Sequence, residues 1–148
     1  MKIELTRLAA ILLILVLTGC AAKTSTSTQQ MALTAYQSGD YDQASKLFKQ
    51  LTDDIPKDAE LWFKLGNSYA REKKPQQAIE AYQNALLRAP DMTKAWYNMG
   101  IIQMQIALKT FIDMGKYSQS VDAASSRGKK MREGLMLLLQ DEPEEKND

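Results

Sequence analysis

The chain has 148 residues, with 19 basic against 18 acidic side chains, no histidine and a single cysteine. So even a balance offers no clustered field to neutralise phosphates, which argues against nucleic acid as a partner. Without histidine, and with one cysteine, the chain lacks the usual transition-metal ligands, the commonest general base and any intramolecular disulfide, so no metal or cofactor is expected.

In chain order, Lys2 and Arg7 flank a short polar start, and Leu8 to Leu17 form an apolar run that ends in Leu17-Thr18-Gly19-Cys20. Ten apolar residues are too few to cross a bilayer core of about 30 Å, so residues 1–19 read as a cleaved signal peptide rather than a structural helix. Small residues before a cysteine resemble the bacterial lipobox. That resemblance implies cleavage before Cys20, diacylation of its sulfur (a palmitate-type modification) and a lipid anchor in place of a transmembrane helix. Several acyl chains hold far more durably than one, at about 0.8 kcal/mol per buried methylene. Ala21 replaces the aspartate that would resemble an inner-membrane retention signal, so the expected location is the periplasmic face of the outer membrane. The alternative is a plain secretory signal cut near Ala21-Ala22, with Cys20 incidental. Losing Lys2, Arg7 and Glu4 with the leader leaves the mature chain with equal numbers of basic and acidic side chains.

Residues 20–30, rich in Ser, Thr and Gln, have no apolar period and are expected to be a flexible tether reaching about 30 Å when extended. An all-α domain is expected over 31–139. Its strongest element is the 34-residue stretch Ala59 to Met92, where Trp62, Leu65, Gly66 and Tyr69 precede Ala78, Tyr82, Ala85 and Pro90. Trp62, Leu65 and Tyr69 fall along one stripe of a first helix, and small Gly66 and Ala78 admit a second helix at close range. Thirty-four residues upstream, Ala44, Phe48 and Pro56 repeat the second half after a Gly39-Asp40-Tyr41 turn, while Thr28, Met31, Ala32 and Ala35 match the first half poorly. Downstream, Trp96, Met99 and Gly100 restart the pattern, but Gly115-Lys116-Tyr117 mirrors the Gly39 turn only after eight extra residues. Eight residues make about two helical turns, so an elongated first helix keeps nearly the same facing. The end, residues 140–148, holds Asp141, Glu142, Glu144 and Glu145 around Pro143 and reads as a disordered acidic tail.

This spacing, W-x2-L-G-x2-Y followed by A-x3-F/Y and P, resembles the tetratricopeptide repeat (TPR) family. The resemblance implies a short all-α solenoid of about three helix-turn-helix repeats, the last one elongated, that binds other proteins. In that family the first helices of successive repeats line a groove. The positions left free by the packing stripe are Leu33, Tyr36 and Gln37 in repeat one, Phe63, Asn67 and Arg71 in repeat two, and Lys94, Tyr97, Asn98, Ile101 and Met104 in repeat three. Aromatics there supply contact area and the asparagines bond a peptide backbone. The family's carboxylate clamp is not reproduced in a complete register, with Lys94 and Asn67 its only fragments. Each groove position has ordinary packing within the solenoid as its alternative.

Apolar residues from Trp96 to Met114 surround the whole first helix of repeat three, which predicts burial on several sides. Val121, Ala124, Gly128, Met131, Leu135 and Leu138 form the stripe expected to cover one of them. The remainder suits a partner, a second copy of the chain or the helix's own terminal cap, and methionines adapt to varied surfaces. Arg127, Lys129, Lys130 and Arg132 read as a solvated face. Asp53-Asp54 before Ile55-Pro56 read as an exposed loop rather than an acid-base pair, and no Walker, G-x-S-x-G or G-x-G-x-x-G motif is present, so no enzyme is expected. Small TPR lipoproteins of this design resemble the accessory lipoproteins of Flp (Tad) and type IV pilus assembly, some of which act as pilotins for a secretin. The expected function is a non-catalytic, membrane-anchored scaffold for assembling an envelope machine, with pilus or secretin subunits as partners. The alternative is an adaptor for a periplasmic protease or a peptidoglycan hydrolase.

Overall fold

The computed structural model describes residues 26–117 and 122–140, which form six helices and no strand. The expected leader, Cys20, Val121 and the acidic residues after Gln140 lie outside the described residues. Helix α1 covers residues 26–37, α2 Tyr41–Asp54, α3 Ala59–Arg71, α4 Pro75–Arg88, α5 Thr93–Tyr117 and α6 Ala123–Gln140. Consecutive helices pack as pairs, α1 with α2, α3 with α4 and α5 with α6, and the pairs stack.

Local chemistry fixes the helix ends. Gly39 takes a left-handed φ of +83° after α1, which glycine adopts without steric cost, and Asp40 caps α2 by accepting from Gln43 N. Asp58 caps α3 by accepting from the amides of Glu60 and Leu61 at 2.8 and 3.2 Å. Lys73, 34 residues after Gly39, adopts the same left-handed region at φ 59°, and Pro75 follows as the first residue of α4.

Two apolar layers hold the stack. Ala32, Ala44, Phe48, Leu51, Leu61, Leu65 and Ala81 form the layer between repeats one and two. Phe63, Ala78, Tyr82, Ala85, Leu86, Ala95, Met99 and Ile102 form the layer between repeats two and three. Helix α3 serves both, with Leu61 and Leu65 in one layer and Phe63 in the other. Each large side chain buried this way stabilises by about 1.5–3 kcal/mol. Gly66 is a close-packed point of the stack: a Cβ built there would stand 2.5 Å from Cε1 of Tyr82, a ring that is 1% exposed.

Four expectations are corrected. The chain is already helical at residue 26, so the tether expected over 20–30 loses its last five residues to α1, where Thr34 Oγ1 donates to the Gln30 carbonyl. Gly115-Lys116-Tyr117 is no turn but the last stretch of α5, which runs for 25 residues, about 37 Å. There Lys109 and then Lys116 hydrogen-bond Asp113 and hold its carboxyl below the usual range. Helix α6 meets α5 through Gly128, against Phe111 and Met114, with half-buried Arg132, Leu135 and Leu139 on the same stripe. Met131 and Leu138 therefore point away, 59% and 62% exposed, and Ala124 is exposed too. The helix turns its glycine inward because only there can the two backbones approach closely. Lastly, α5 is not buried all round. Ala95, Met99 and Ile102 are buried, Ile101, Met104, Ile106, Leu108, Phe111, Ile112 and Met114 are half-buried, and Trp96 and Tyr97 are exposed.

Gly100, the counterpart of Gly66 one repeat later, has nothing within 4 Å of a built Cβ. Gly66→Ala should accordingly destabilise the chain by about 1–3 kcal/mol through overpacking against Tyr82. Gly100→Ala should leave stability unchanged or raise it by about 0.5–1 kcal/mol through helix propensity. Urea unfolding followed by circular dichroism distinguishes them, and equal losses in both variants would refute the packing difference.

Candidate peptide-binding groove

Helices α3 and α5 lie side by side because α4 spaces them and the second apolar layer fills the gap. Across this seam the structure builds a small polar network. Asn67 Oδ1 accepts from Tyr82 Oη at 2.8 Å and from Asn98 Nδ2 at 3.0 Å, so one amide oxygen ties α4 and α5 to α3. With both bonds on the oxygen, the amide of Asn67 is oriented, and its Nδ2 donates to no group among the described residues. That leaves a positioned donor for a backbone carbonyl.

Beside it, Lys94 Nζ lies 2.7 and 2.8 Å from the two carboxylate oxygens of Glu60 and 4.4 Å from the centroid of the Phe63 ring. Lys64 Nζ stands 3.6 Å from the same carboxylate. The cation is thus already neutralised and stacked, which limits its pull on a free peptide carboxylate. Pairs this exposed contribute about 0–1 kcal/mol.

Of the eleven positions expected to face a groove, the structure pairs Phe63 with Lys94 and Asn67 with Asn98. Tyr97 is 53% exposed, and Ile101 and Met104 are half-buried farther along α5. Phe63 departs from expectation. It is 6% exposed and tilts against Tyr82 with ring centroids 5.9 Å apart, so it is the floor of the site and a core residue rather than a free contact. On α1, Leu33 packs against the first layer, Tyr36 meets the Tyr41 ring edge-on at 5.3 Å, and Gln37 is exposed. Arg71 is exposed in the last turn of α3.

Sequence reasoning missed Glu60 and Tyr82 as parts of this site. Glu60 was detectable: it stands 34 residues before Lys94, so the two opposite charges occupy the same position in consecutive repeats. Tyr82 had been assigned to packing alone, and its hydroxyl gave no separate signal. Among the described residues no group of three or more His, Cys, Asp or Glu side chains could hold a metal ion.

Stacked helix pairs presenting an amide-rich, partly aromatic seam define a helical-repeat binding scaffold. The tetratricopeptide repeat profile matches residues 30–92 and 65–106, together just over half of the chain, and the chain belongs to that family. The peroxisomal targeting signal receptor of Candida albicans is 30% identical over 87 residues, which are 59% of this chain and 13% of the receptor. The chain therefore spans about one eighth of the length of that relative. Among solved structures, the first TPR of Spaghetti (RPAP3), bound to the HSP90 peptide SRMEEVD, superposes with a TM-score of 0.52 at 19% identity, covering 76% of this chain and 95% of that one. The Sgt2 TPR domain from Aspergillus fumigatus gives 0.55 at 16% identity, covering 84% and 89%. These likenesses establish the fold.

Asn67→Ala should cost about 1–2 kcal/mol, because it removes two hydrogen bonds that join three helices. Lys94→Met, which breaks only an exposed pair, should stay within about 1 kcal/mol of the parent chain. Chemical denaturation of both variants checks the order, which the opposite ranking would overturn.

Proposed function

We propose that this chain is a non-catalytic scaffold that binds an extended peptide segment of a partner protein across α3 and α5. The observation that carries the reading is the oriented Asn67–Asn98 amide pair beside exposed Tyr97, spanning two repeats. Such a pair can bond a peptide backbone while the tyrosine and half-buried Ile101 and Met104 take its side chains. The RPAP3 relative was solved with a peptide, which supports a peptide as the ligand class.

The membrane half of the proposal rests on Leu17-Thr18-Gly19-Cys20, with lipidation of Cys20 and attachment to the periplasmic face of the outer membrane. No helix among the described residues is long and apolar enough to cross a membrane. In this reading residues 1–19 are removed, a short tether runs from Cys20 to the start of α1, and the repeats recruit subunits of an envelope machine such as a pilus or a secretin. The likeness of the whole design to pilus-assembly lipoproteins supports that choice. An adaptor that presents a protease or a peptidoglycan hydrolase to its substrate uses the same groove.

A photo-crosslinking amino acid at Tyr97, followed by mass spectrometry of the adduct, should give one dominant partner, lost when Asn98→Ala is added. Pilus or secretin subunits in the adduct support the assembly role, and a cell-wall hydrolase or protease supports the adaptor. Crosslinks unaffected by Asn98→Ala would place binding elsewhere. Cys20→Ser should move the protein from the outer-membrane fraction to the soluble periplasm, and retention in the membrane would refute the lipid anchor.

A further inference from the structure

We propose that the Trp96–Gly100 face of α5 is a second docking site, separate from the groove, which takes a single helix of a partner bearing an aromatic residue and, six residues later, an arginine or lysine. The warrant is the chain's own repeat. In repeat two the equivalent face of α3 is covered by α4. The Tyr82 ring lies on Gly66, the Arg88 guanidinium stacks on the Trp62 ring at 4.9 Å, and Arg88 Nε and Trp62 Nε1 both donate to the Pro56 carbonyl. In repeat three the receiving half is intact: Trp96 Nε1 donates to the Pro90 carbonyl at 2.9 Å, and Gly100 follows at the same spacing.

Among the described residues the covering half is missing. Trp96 is 53% exposed, a Cβ on Gly100 would meet nothing within 4 Å, and Gln103, the counterpart of half-buried Tyr69, is exposed. The cause is the elongation of α5. Helix α6 packs on the far half of α5, with Gly128 at Phe111 and Met114. Running back at equal rise, its last residue, Gln140, comes level with residues 99–102, short of Trp96. The residues that follow, Asp141 to Asp148, carry no aromatic, and their one cation, Lys146, has Gln140 rather than a ring six residues before it.

Charge fixes the partner's chemistry. The Pro90 carbonyl, the π face of Trp96 and exposed Asp91 together make one end of the shelf electron-rich, which suits a guanidinium or ammonium. The other end, at Gly100, has room for a ring. The face also continues the established α3/α4 interface through Ala95 and Met99, which are buried in the layer that contains Tyr82 and Ala85. A helix laid here would extend that layer.

The α4 sequence supplies the probe: a capped peptide of residues 75–88, crosslinked between positions 76 and 80, both exposed in α4, so that it is helical, and carrying fluorescein. Titrated with the full chain in detergent micelles, its anisotropy should rise saturably below about 1 mM. An Arg88→Ala peptide should bind about three- to tenfold more weakly, through loss of the cation over Trp96. Gly100→Arg in the chain should abolish binding while leaving its thermal unfolding unchanged, because that side chain enters open space. Asn98→Ala should leave peptide binding intact, so failure of the groove reading and failure of this one are distinguishable. No saturable binding, or equal binding by Gly100→Arg, would overturn the proposal. So would binding only after residues 141–148 are deleted, which would make the chain's own end the occupant. Self-association abolished by Gly100→Arg would do the same, with a second copy as the occupant.

Discussion

The contact of the Tyr82 ring with Gly66 is the interaction on which the rest of the structure depends. It sets the distance between α3 and α4, since any side chain at position 66 would push the ring away. That distance places the Tyr82 hydroxyl within 2.8 Å of Asn67, and Asn67 in turn receives Asn98 from the next repeat. One tyrosine therefore couples packing within a repeat, register between repeats and the orientation of the amides of the proposed groove. A glycine facing an aromatic ring is a close-packing device before it is a binding one, and here the binding geometry is inherited from the packing.

The repeats share a second device and then diverge in how they use it. Trp62 and Trp96 each donate an indole N–H to the carbonyl of a proline six residues earlier, at 3.0 and 2.9 Å, which fixes the loop before each first helix. In repeat two that loop is then clamped by Arg88 from α4. In repeat three it is not, because the two extra turns of α5 carry its hairpin partner away from the stack. A solenoid needs its end repeats to meet water, and the charged face of α6, with Arg127, Lys129 and Lys130 exposed, supplies that at the far half of α5. Among the described residues the near half has no such cap.

Much of this was legible in the sequence where spacing alone determines packing. The Trp62-Leu65-Gly66-Tyr69 and Ala78-Tyr82-Ala85 positions marked the α3/α4 pair, and the eight-residue delay marked an elongated α5. The misreadings arose where two neighbouring stripes are both plausible. On α6 the run through Met131 and Leu138 is more apolar than the run through Arg132 and Leu139, yet the second faces α5, because Gly128 decides the approach and long side chains adjust to it. Phe63 was assigned to the groove by helical angle, but a bulky ring between two stacked repeats lowers its free energy by moving into the layer beneath Lys94. Gly115 suggested a turn by analogy with Gly39. Inside a long helix it costs only about 1 kcal/mol relative to alanine, too little to end α5 there. The early start of α1 could not be read at all, since Ser, Thr and Gln carry no apolar period.

If the seam is the proposed groove, its electrostatics bear on how it would discriminate between ligands. Lys94 is held between the Glu60 carboxylate and the Phe63 ring, so a ligand carboxylate would have to displace an existing partner at 2.7 Å before gaining the same interaction. The exchange is nearly balanced, as it is for exposed ion pairs generally. Discrimination between ligands must then come from terms that water does not offer equally well. Those are the directional bonds of Asn67 and Asn98, which are oriented by groups behind them, and the apolar contacts of Tyr97, Ile101 and Met104. Neutral hydrogen bonds and buried area are screened little by salt, unlike attraction between exposed charges beyond a Debye length of about 8 Å. A scaffold built this way selects by backbone shape and side-chain volume, which the stacking of its own repeats already determines.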